Sequence, residues 1–363
     1  MASTSTSRWQ RREESLSPYA IRSDRSHGRE RPEPDDALRN PFQIDRDRII
    51  RSKAFRRLMH KTQVFLAPQG DHYLTRLTHT MEVSLIARGI ARALNLNEDL
   101  TEAICMGHDL GHAPFGHLGE ATLTEVHGGG FRHNKQSVRV VELLENDGHG
   151  LNLTYEVRQG ILRHSKGRGG IEGQANPELD TLEGLCAKLA DALAYITHDT
   201  DDAVRAGVLA APDLPSQVTS ILGSDRSQWA RLLAEDIVRT SWSASGEVTI
   251  PAGQHPSIRM SSEVSAAANA LRDFLFEHVY EPASRGEQAD RAREIIALLY
   301  RFFAQHPERV PEGYTVHTDE PGRMALDYVS GMTDGYALRV AEQLKPGIAK
   351  GFREGGVPLY LPV

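Results

Sequence analysis

The chain lacks the residues that mark secreted or membrane architectures. Only two of its 363 residues are cysteine, Cys105 and Cys186, too few for a disulfide framework. Their expected role is as small buried side chains, and a reducing cytoplasm is the expected compartment. No apolar run approaches the roughly 18 residues of a membrane span. The opening MASTSTSRWQRREES carries no apolar stretch of the kind a secretory signal needs. Strand signals are scarce, and no segment repeats. A uniform basic footprint is missing as well. The net charge is −7, with residues 1–61 at +6 and the remainder at −13. An acidic body argues against a general nucleic-acid binder. The basic segment reads either as a solvated or subunit-contacting arm or as a surface for phosphates, including those of single-stranded nucleic acid, which is the less favoured partner.

What remains is ordinary globular composition, 39% hydrophobic and 25% charged, in helical patterns. Residues 1–36, rich in Ser, Arg, Glu and Pro, read as a loosely ordered basic arm. From Asn40 the spacing of Ile49, Ile50, Phe55 and Leu58 predicts helix, and 67–73 reads as a loop. Val83, Ala87, Ile90 and Leu94 predict an amphipathic helix with His79 on its inward face. Asn97 is a plausible cap for the next helix, in which Leu100, Ile104 and His108 lie four apart. Gly111 and Pro114 break that helix. In 179–207, Leu182, Leu185, Leu189, Leu193 and Ile196 form an apolar stripe, and Asp191, Tyr195, Asp199 and Asp202 form a polar one. GEVTI (246–250) offers a short strand. The expected class is all-α. The segments expected are the arm 1–36, a helical domain 37–210 with its core at about 73–202, and a helical region 211–363.

The densest chemistry is at 106–120, MGHDLGHAPFGHLGE. Adjacent His108 and Asp109 diverge by about 100° on a regular helix, but converge on one ion if the helix ends there. His79 on the preceding helix completes a nitrogen and oxygen set, and Asp191 on a later helix is the best candidate for a fourth ligand. Imidazole with carboxylate suits Mg, Mn, Fe, Ni or Zn, with positions left for water and phosphate oxygens. Taken singly, an inward histidine, an HD dipeptide or an acidic stripe is usually structural. Their order along the chain is the specific signal.

That order resembles the HD-domain metal-dependent phosphohydrolases. The stretches DRDRIIRSKAFRRLMHKTQVF, GDHYLTRLTHTMEV, HDLGHAPFGHLGE, GFRHNKQSVRVVE, DALAYITHDTDDAVRAG and DYVSGMTDGYAL narrow it to the dGTP triphosphohydrolase-like (dNTPase) family, over about residues 41–345. The resemblance implies an HD-domain helical fold and hydrolysis of deoxynucleoside triphosphates, dGTP and other dNTPs, to deoxynucleoside and inorganic triphosphate. It implies one divalent metal held by His79, His108, Asp109 and Asp191. His117 matches the catalytic histidine, and Glu120 one turn later orients it. Arg76, His112 and His133 match phosphate contacts. Tyr195 and Asp199 match the deoxyribose contacts, and Gln63 matches a residue near the sugar's 3′ side. Family habit implies a homo-oligomer, a hexamer. His60, His72 and His164 read as surface or structural, and Asp202 as serving its helix. Gly335 stands where a larger residue is expected in MTD-x-Y. The alternatives are another HD-type nucleotide phosphohydrolase, or a non-catalytic nucleotide-sensing or single-strand-binding protein.

Overall fold

The computed structural model describes residues 8–63, 74–165, 170–173, 176 and 180–352. The loop expected at 67–73, with His72, lies outside these residues. Described extended segments pair only as two isolated bridges, Arg29 with Thr154 and Thr62 with Thr75, and everything else with regular structure is helical. The all-α class is therefore correct. The strand expected at 246–250 is a bend followed by irregular chain, because no extended segment among the described residues pairs with it.

The chain divides into two compact units, and they are not consecutive stretches. One comprises Met1–Arg51, Thr80–His108 and Leu151–Phe274. The other comprises Ser52–His79, Asp109–Gly150 and Leu275–Val363.

In the first unit the helix Glu98–Gly107 is buried along almost its whole length. Asn97 caps it, its side chain accepting from the amides of Asp99 and Leu100. Two glycines let neighbouring helices close on it. A Cβ on Gly107 would stand 2.4 Å from the Ile161 side chain, and one on Gly160 would stand 2.4 Å from that of Ile104, far inside van der Waals contact. The helix Leu182–Arg205 starts at a Thr181 cap and buries the predicted stripe of Leu182, Leu185, Leu189, Leu193 and Ile196.

The basic arm is not loose over residues 8–36. Arg8–Glu14 is helical, and the buried Glu13 carboxylate accepts the amide and hydroxyl of Ser23. Arg29 pairs with the fully buried Asp45 and donates to the Asn152 carbonyl. Glu183 accepts the Ile21 amide at 3.0 Å and the Asn97 amide at 3.1 Å. Composition misleads here because three buried acids, one inside the segment, one just beyond it and Glu183 far off in sequence, capture it through backbone amides, a hydroxyl and one arginine.

In the second unit the helices Gly116–His127, Glu287–Gln305, Pro321–Ser330 and Asp334–Leu344 share one core. Ala292, Ile295, Ile296, Leu299 and Phe303 supply its central ridge, and Ala113, Phe115 and Leu123 pack into it. Burying each large apolar side chain contributes roughly 1.5–3 kcal/mol. The loop that carries the motif histidines is thus anchored by its own apolar members.

Candidate active site

In the first unit His108 lies just past the last residue of the helix Glu98–Gly107. Its Nδ1 is 2.6 Å from the Cys105 carbonyl oxygen. That contact makes Nδ1 the protonated nitrogen and Nε2 the one with the lone pair. Nε2 stands 3.9 Å from Oδ1 of Asp191, within the roughly 4.2 Å that two ligands at about 2.1 Å from one ion can span. His164, read from sequence as surface or structural, is buried and sets its ring edge-on to His108 with centroids 5.0 Å apart. It braces that imidazole, and only proximity in the fold reveals it. On the helix Leu182–Arg205, Asp199 is buried and Tyr195 half-buried. Asp202 pairs with Arg205 at 2.6 Å, the helix-serving role expected of it.

The second unit gathers Gln63, Arg76, His79, Asp109, His112, His117, Glu120 and His133. Arg76 is 1% exposed. Its amide donates to the Lys61 carbonyl at 3.1 Å, beside the Thr62–Thr75 bridge, so the start of the helix Arg76–Ala93 is tied to segment 61–62. Arg76 Nη1 donates to Oδ2 of Asp109 at 2.9 Å. Its Nε and Nη2 are buried without a partner among the described residues, as are Nδ1 of His112 and Oε1 of Gln63. A buried guanidinium with two empty donor positions is costly unless something anionic fills them.

Asp109, His112 and His133 each offer an atom within 4.8 Å of the others. The rings of His112 and His133 are nonetheless stacked, with centroids 4.1 Å apart and planes 13° from parallel. Imidazole lone pairs lie in the ring plane, so two parallel rings aim alongside one another and do not converge on one ion. The stack suits adjacent phosphate oxygens better than a metal. Burial and the nearby Arg76 hold the His112 pKa well below the usual value. For His133 burial likewise lowers the pKa, but the hydrogen bond and charge of Glu120 prevail and raise it. One ring of the stack thus favours the neutral form and its neighbour the charged one.

Glu120 has a wider role than sequence suggested. Its Oε1 accepts the His133 amide at 3.1 Å, and its Oε2 lies 2.8 Å from Nδ1 of His133. The same Oε2 is 3.8 Å from Nδ1 of His117. Burial would raise the carboxyl's pKa, yet the two imidazoles outweigh it and hold the group well below the carboxylate range. Glu120 is therefore an anion set between two histidines and in closer contact with His133. His117 is largely open to solvent, its side chain 63% exposed, as a group that meets a bound substrate would be.

Gly111 makes this packing possible. A Cβ there would fall 2.2 Å from the Ser137 amide nitrogen, and the Gly111 amide donates to the Ser137 hydroxyl at 2.9 Å. That close approach brings the helix His133–Arg139 against the motif loop. Asp327 secures the same helix, taking Gln136 Nε2 at 2.9 Å and Arg139 Nε at 2.8 Å. Gly335 leaves open space, with Arg339 Nη1 3.8 Å from where a Cβ would stand. A cavity of about 500 Å³ in this unit, lined by Arg57, Lys61, Tyr314, Tyr328 and Arg339 among others, includes none of the candidate metal, catalytic or substrate-binding residues.

Comparison with known proteins follows this geometry. The family profile "HD domain" matches residues 76–196, and "Phosphohydrolase-associated domain" matches residues 258–343. The deoxyguanosinetriphosphate triphosphohydrolase-like protein of Caldanaerobacter subterraneus subsp. tengcongensis is 49% identical over 325 residues, covering 89% of this chain and 90% of that one. The protein of the same description from Desulfatibacillum aliphaticivorans is 43% identical over 338 residues, covering 91% and 94%. The chain belongs to the HD-domain deoxyguanosinetriphosphate triphosphohydrolase-like family. Among solved structures, a hypothetical protein from Aquifex aeolicus aligns with TM-score 0.47 and 18% identity over 86% of this chain and 69% of that one.

As a member of this HD family the protein is a phosphohydrolase. HD domains bind divalent metals, and the donor set fits: imidazole with carboxylate, and one imidazole whose tautomer is fixed by a backbone carbonyl. No helix among the described residues is long and apolar enough to cross a membrane.

Proposed function

We propose that the protein hydrolyses deoxynucleoside triphosphates, dGTP among them, to deoxynucleoside and inorganic triphosphate. The observation that carries this reading is the buried Arg76 guanidinium, held on one side by Asp109 and with Nε and Nη2 unpartnered, in the unit that also carries the His112–His133 stack. Together these make a cradle for a polyphosphate chain. Arginine supplies two fixed donors to phosphate oxygens, and the stacked imidazoles supply a neutral and a charged donor side by side.

His79, His108, Asp109 and Asp191 would hold one divalent ion. His108 and Asp109 are joined by a peptide bond, which ties the two halves of this set together along the chain. The ion would supply Lewis-acid stabilisation of charge on the phosphate. His117 is the proton carrier: water adds to the α-phosphorus as the bond to the 5′ oxygen breaks, and an imidazole takes the water's proton or protonates the leaving oxygen. Glu120 keeps the neighbouring positive charge in place. Asp199 accepts the sugar's 3′-OH, Tyr195 packs on the deoxyribose where a 2′-OH would stand, and Gln63 faces the sugar's 3′ side. The working form is a cytoplasmic homo-oligomer.

Product analysis with all four dNTPs and GTP, in Mg²⁺ or Mn²⁺, tests the reading. Inorganic triphosphate is the expected product, with GTP a poor substrate. Release of orthophosphate or pyrophosphate instead would point to another HD phosphohydrolase reaction, and binding without turnover would point to a sensor.

A further inference from the structure

The loop between Asp109 and His117 holds a backbone conformation that its own sequence disfavours. Phe115 has φ 61° and ψ 24°, the left-handed region, which a bulky aromatic residue adopts only under constraint from its surroundings. Its amide donates to Oδ1 of Asp334 at 3.0 Å. The other oxygen of the same carboxylate, Oδ2, accepts the Thr62 amide at 3.0 Å and the Thr62 hydroxyl at 2.7 Å. Asp334 is buried at the start of the helix Asp334–Leu344 and spends both oxygens on these two segments. Lys61, 2% exposed, completes the frame from the other side. Its ammonium donates to the His112 carbonyl and, at 2.9 Å, to the Ser330 carbonyl. Segment 61–62 and loop 112–115 are thus tied by one acid and one base, the acid reaching the loop at the Phe115 amide and the base at the His112 backbone carbonyl. Two residues beyond Phe115 stands His117, and one beyond Thr62 stands Gln63.

We propose that Asp334 is a positioning residue for the reaction: it holds Phe115 left-handed, and so fixes the direction in which His117 leaves the loop. This rests on the dNTP hydrolysis reading above. The carboxylate is suited to the task because it satisfies three donors from two segments at once, which an amide or a water cannot do with the same geometry.

The test is a series of variants of the full-length protein, each assayed for dGTP turnover, bound metal and thermal midpoint. Asp334→Ala should lower kcat by about 10²-fold, the scale of a misplacement near 1 Å, with metal content intact and KM changed by no more than about threefold. Asp334→Asn keeps an oxygen for the Phe115 amide but turns an N–H toward the Thr62 amide. It should therefore recover part of the loss. Thr62→Val removes only the hydroxyl bond and should stay near wild type. If Asp334→Ala does not fold, the Asn variant decides. Wild-type kcat in a folded, metal-replete Asp334→Asn and Asp334→Ala overturns the proposal, as does a loss seen in KM alone. So does a Thr62→Val variant as impaired as Asp334→Ala, which would assign the effect to segment 62. Absence of dNTP turnover in the wild-type protein is a separate outcome and overturns the hydrolysis reading together with this one.

Discussion

Replacing Glu120 by Gln perturbs the histidine cluster at its centre. The side chain keeps its length, and one oxygen can still accept the His133 amide, bonded at 3.1 Å in the native protein. The other position becomes an N–H facing Nδ1 of His133, where a carboxylate oxygen now lies at 2.8 Å. His133 must then either turn away or present a lone pair at Nδ1, and in both cases it loses the stabilisation of its charged form. A charge-assisted hydrogen bond of this kind contributes roughly 1.5–3 kcal/mol.

The pH window follows from the two shifts. Glu120 has a depressed folded pKa, so its contribution is present above the usual 4.5 and lost as pH falls through the lower folded value. His133 has a raised folded pKa, so its contribution is complete below 6.5 and lost as pH rises through the higher folded value. The stability difference between wild type and Glu120→Gln should therefore be largest between about pH 4.5 and 6.5 and decline on both sides. Urea unfolding across pH 4–8 measures it. In dGTP turnover the variant should lose about 10–100-fold, less than the loss from removing the proton carrier itself, and it should keep its metal. A stability difference that does not vary with pH, or turnover equal to wild type, would refute the assignment of Glu120 as the anion between His117 and His133.

Further outcomes follow from the same geometry. His117→Ala should retain metal and bound dNTP but lose turnover by roughly 10²–10⁴-fold, whereas His108→Ala should lose metal and turnover together; metal analysis beside single-turnover assays separates the two. Asp199→Ala should impair dNTP use more than Tyr195→Phe by roughly 1.5–3 kcal/mol, the value of a charged acceptor, while Tyr195→Ala should admit GTP; an unchanged dGTP:GTP ratio would move the sugar gate elsewhere. Glu183 is pushed up to about 7 by burial, and its Oε2 has no partner among the described residues. It binds a proton more tightly folded than unfolded, so wild-type stability should fall as pH rises from about 4.5 through 7, by at most about 3 kcal/mol. Glu183→Gln should remove that slope in thermal unfolding curves taken from pH 5 to 8.

The parts of the fold that were legible are those governed by local periodicity. The stripe from Leu182 to Ile196 and the Asn97 cap depend on spacing and on one side chain near its own helix, and both stand as read. The arm was misread because its order comes from Glu13, Asp45 and Glu183, whose partners lie up to 162 residues away. Composition registers how polar a segment is, and says nothing of whether buried carboxylates elsewhere will take its amides. The interleaving of the units has the same origin: residues 52–79 join residues 275–363 through contacts such as Thr62 with Asp334, which leave no periodic trace.

At the site, the candidate residues stand out in the sequence because their chemistry is unusual and their order specific. Their supports do not. Lys61, Asp334, Ser137 and Asp327 are residue types found on any surface, yet here Asp334 and Asp327 are buried and hold the loop 109–116 and the helix His133–Arg139. Each acts through backbone amides or a neighbouring polar side chain, a function any aspartate performs once the fold delivers it. Reaction chemistry selects residue types and so shows in a sequence. Positioning selects places, and those exist only after folding. The division bears on Glu120, which has both parts. Its spacing from His117 marked it as that residue's partner, while its shorter contact with His133 depended on Gly111 admitting the helix His133–Arg139. A Cβ at Gly111 would clash with the Ser137 amide nitrogen and push that helix off the loop, which would separate Glu120 from His133 and unstack His112. Sequence alone would have scored such a change as a minor one in a loop.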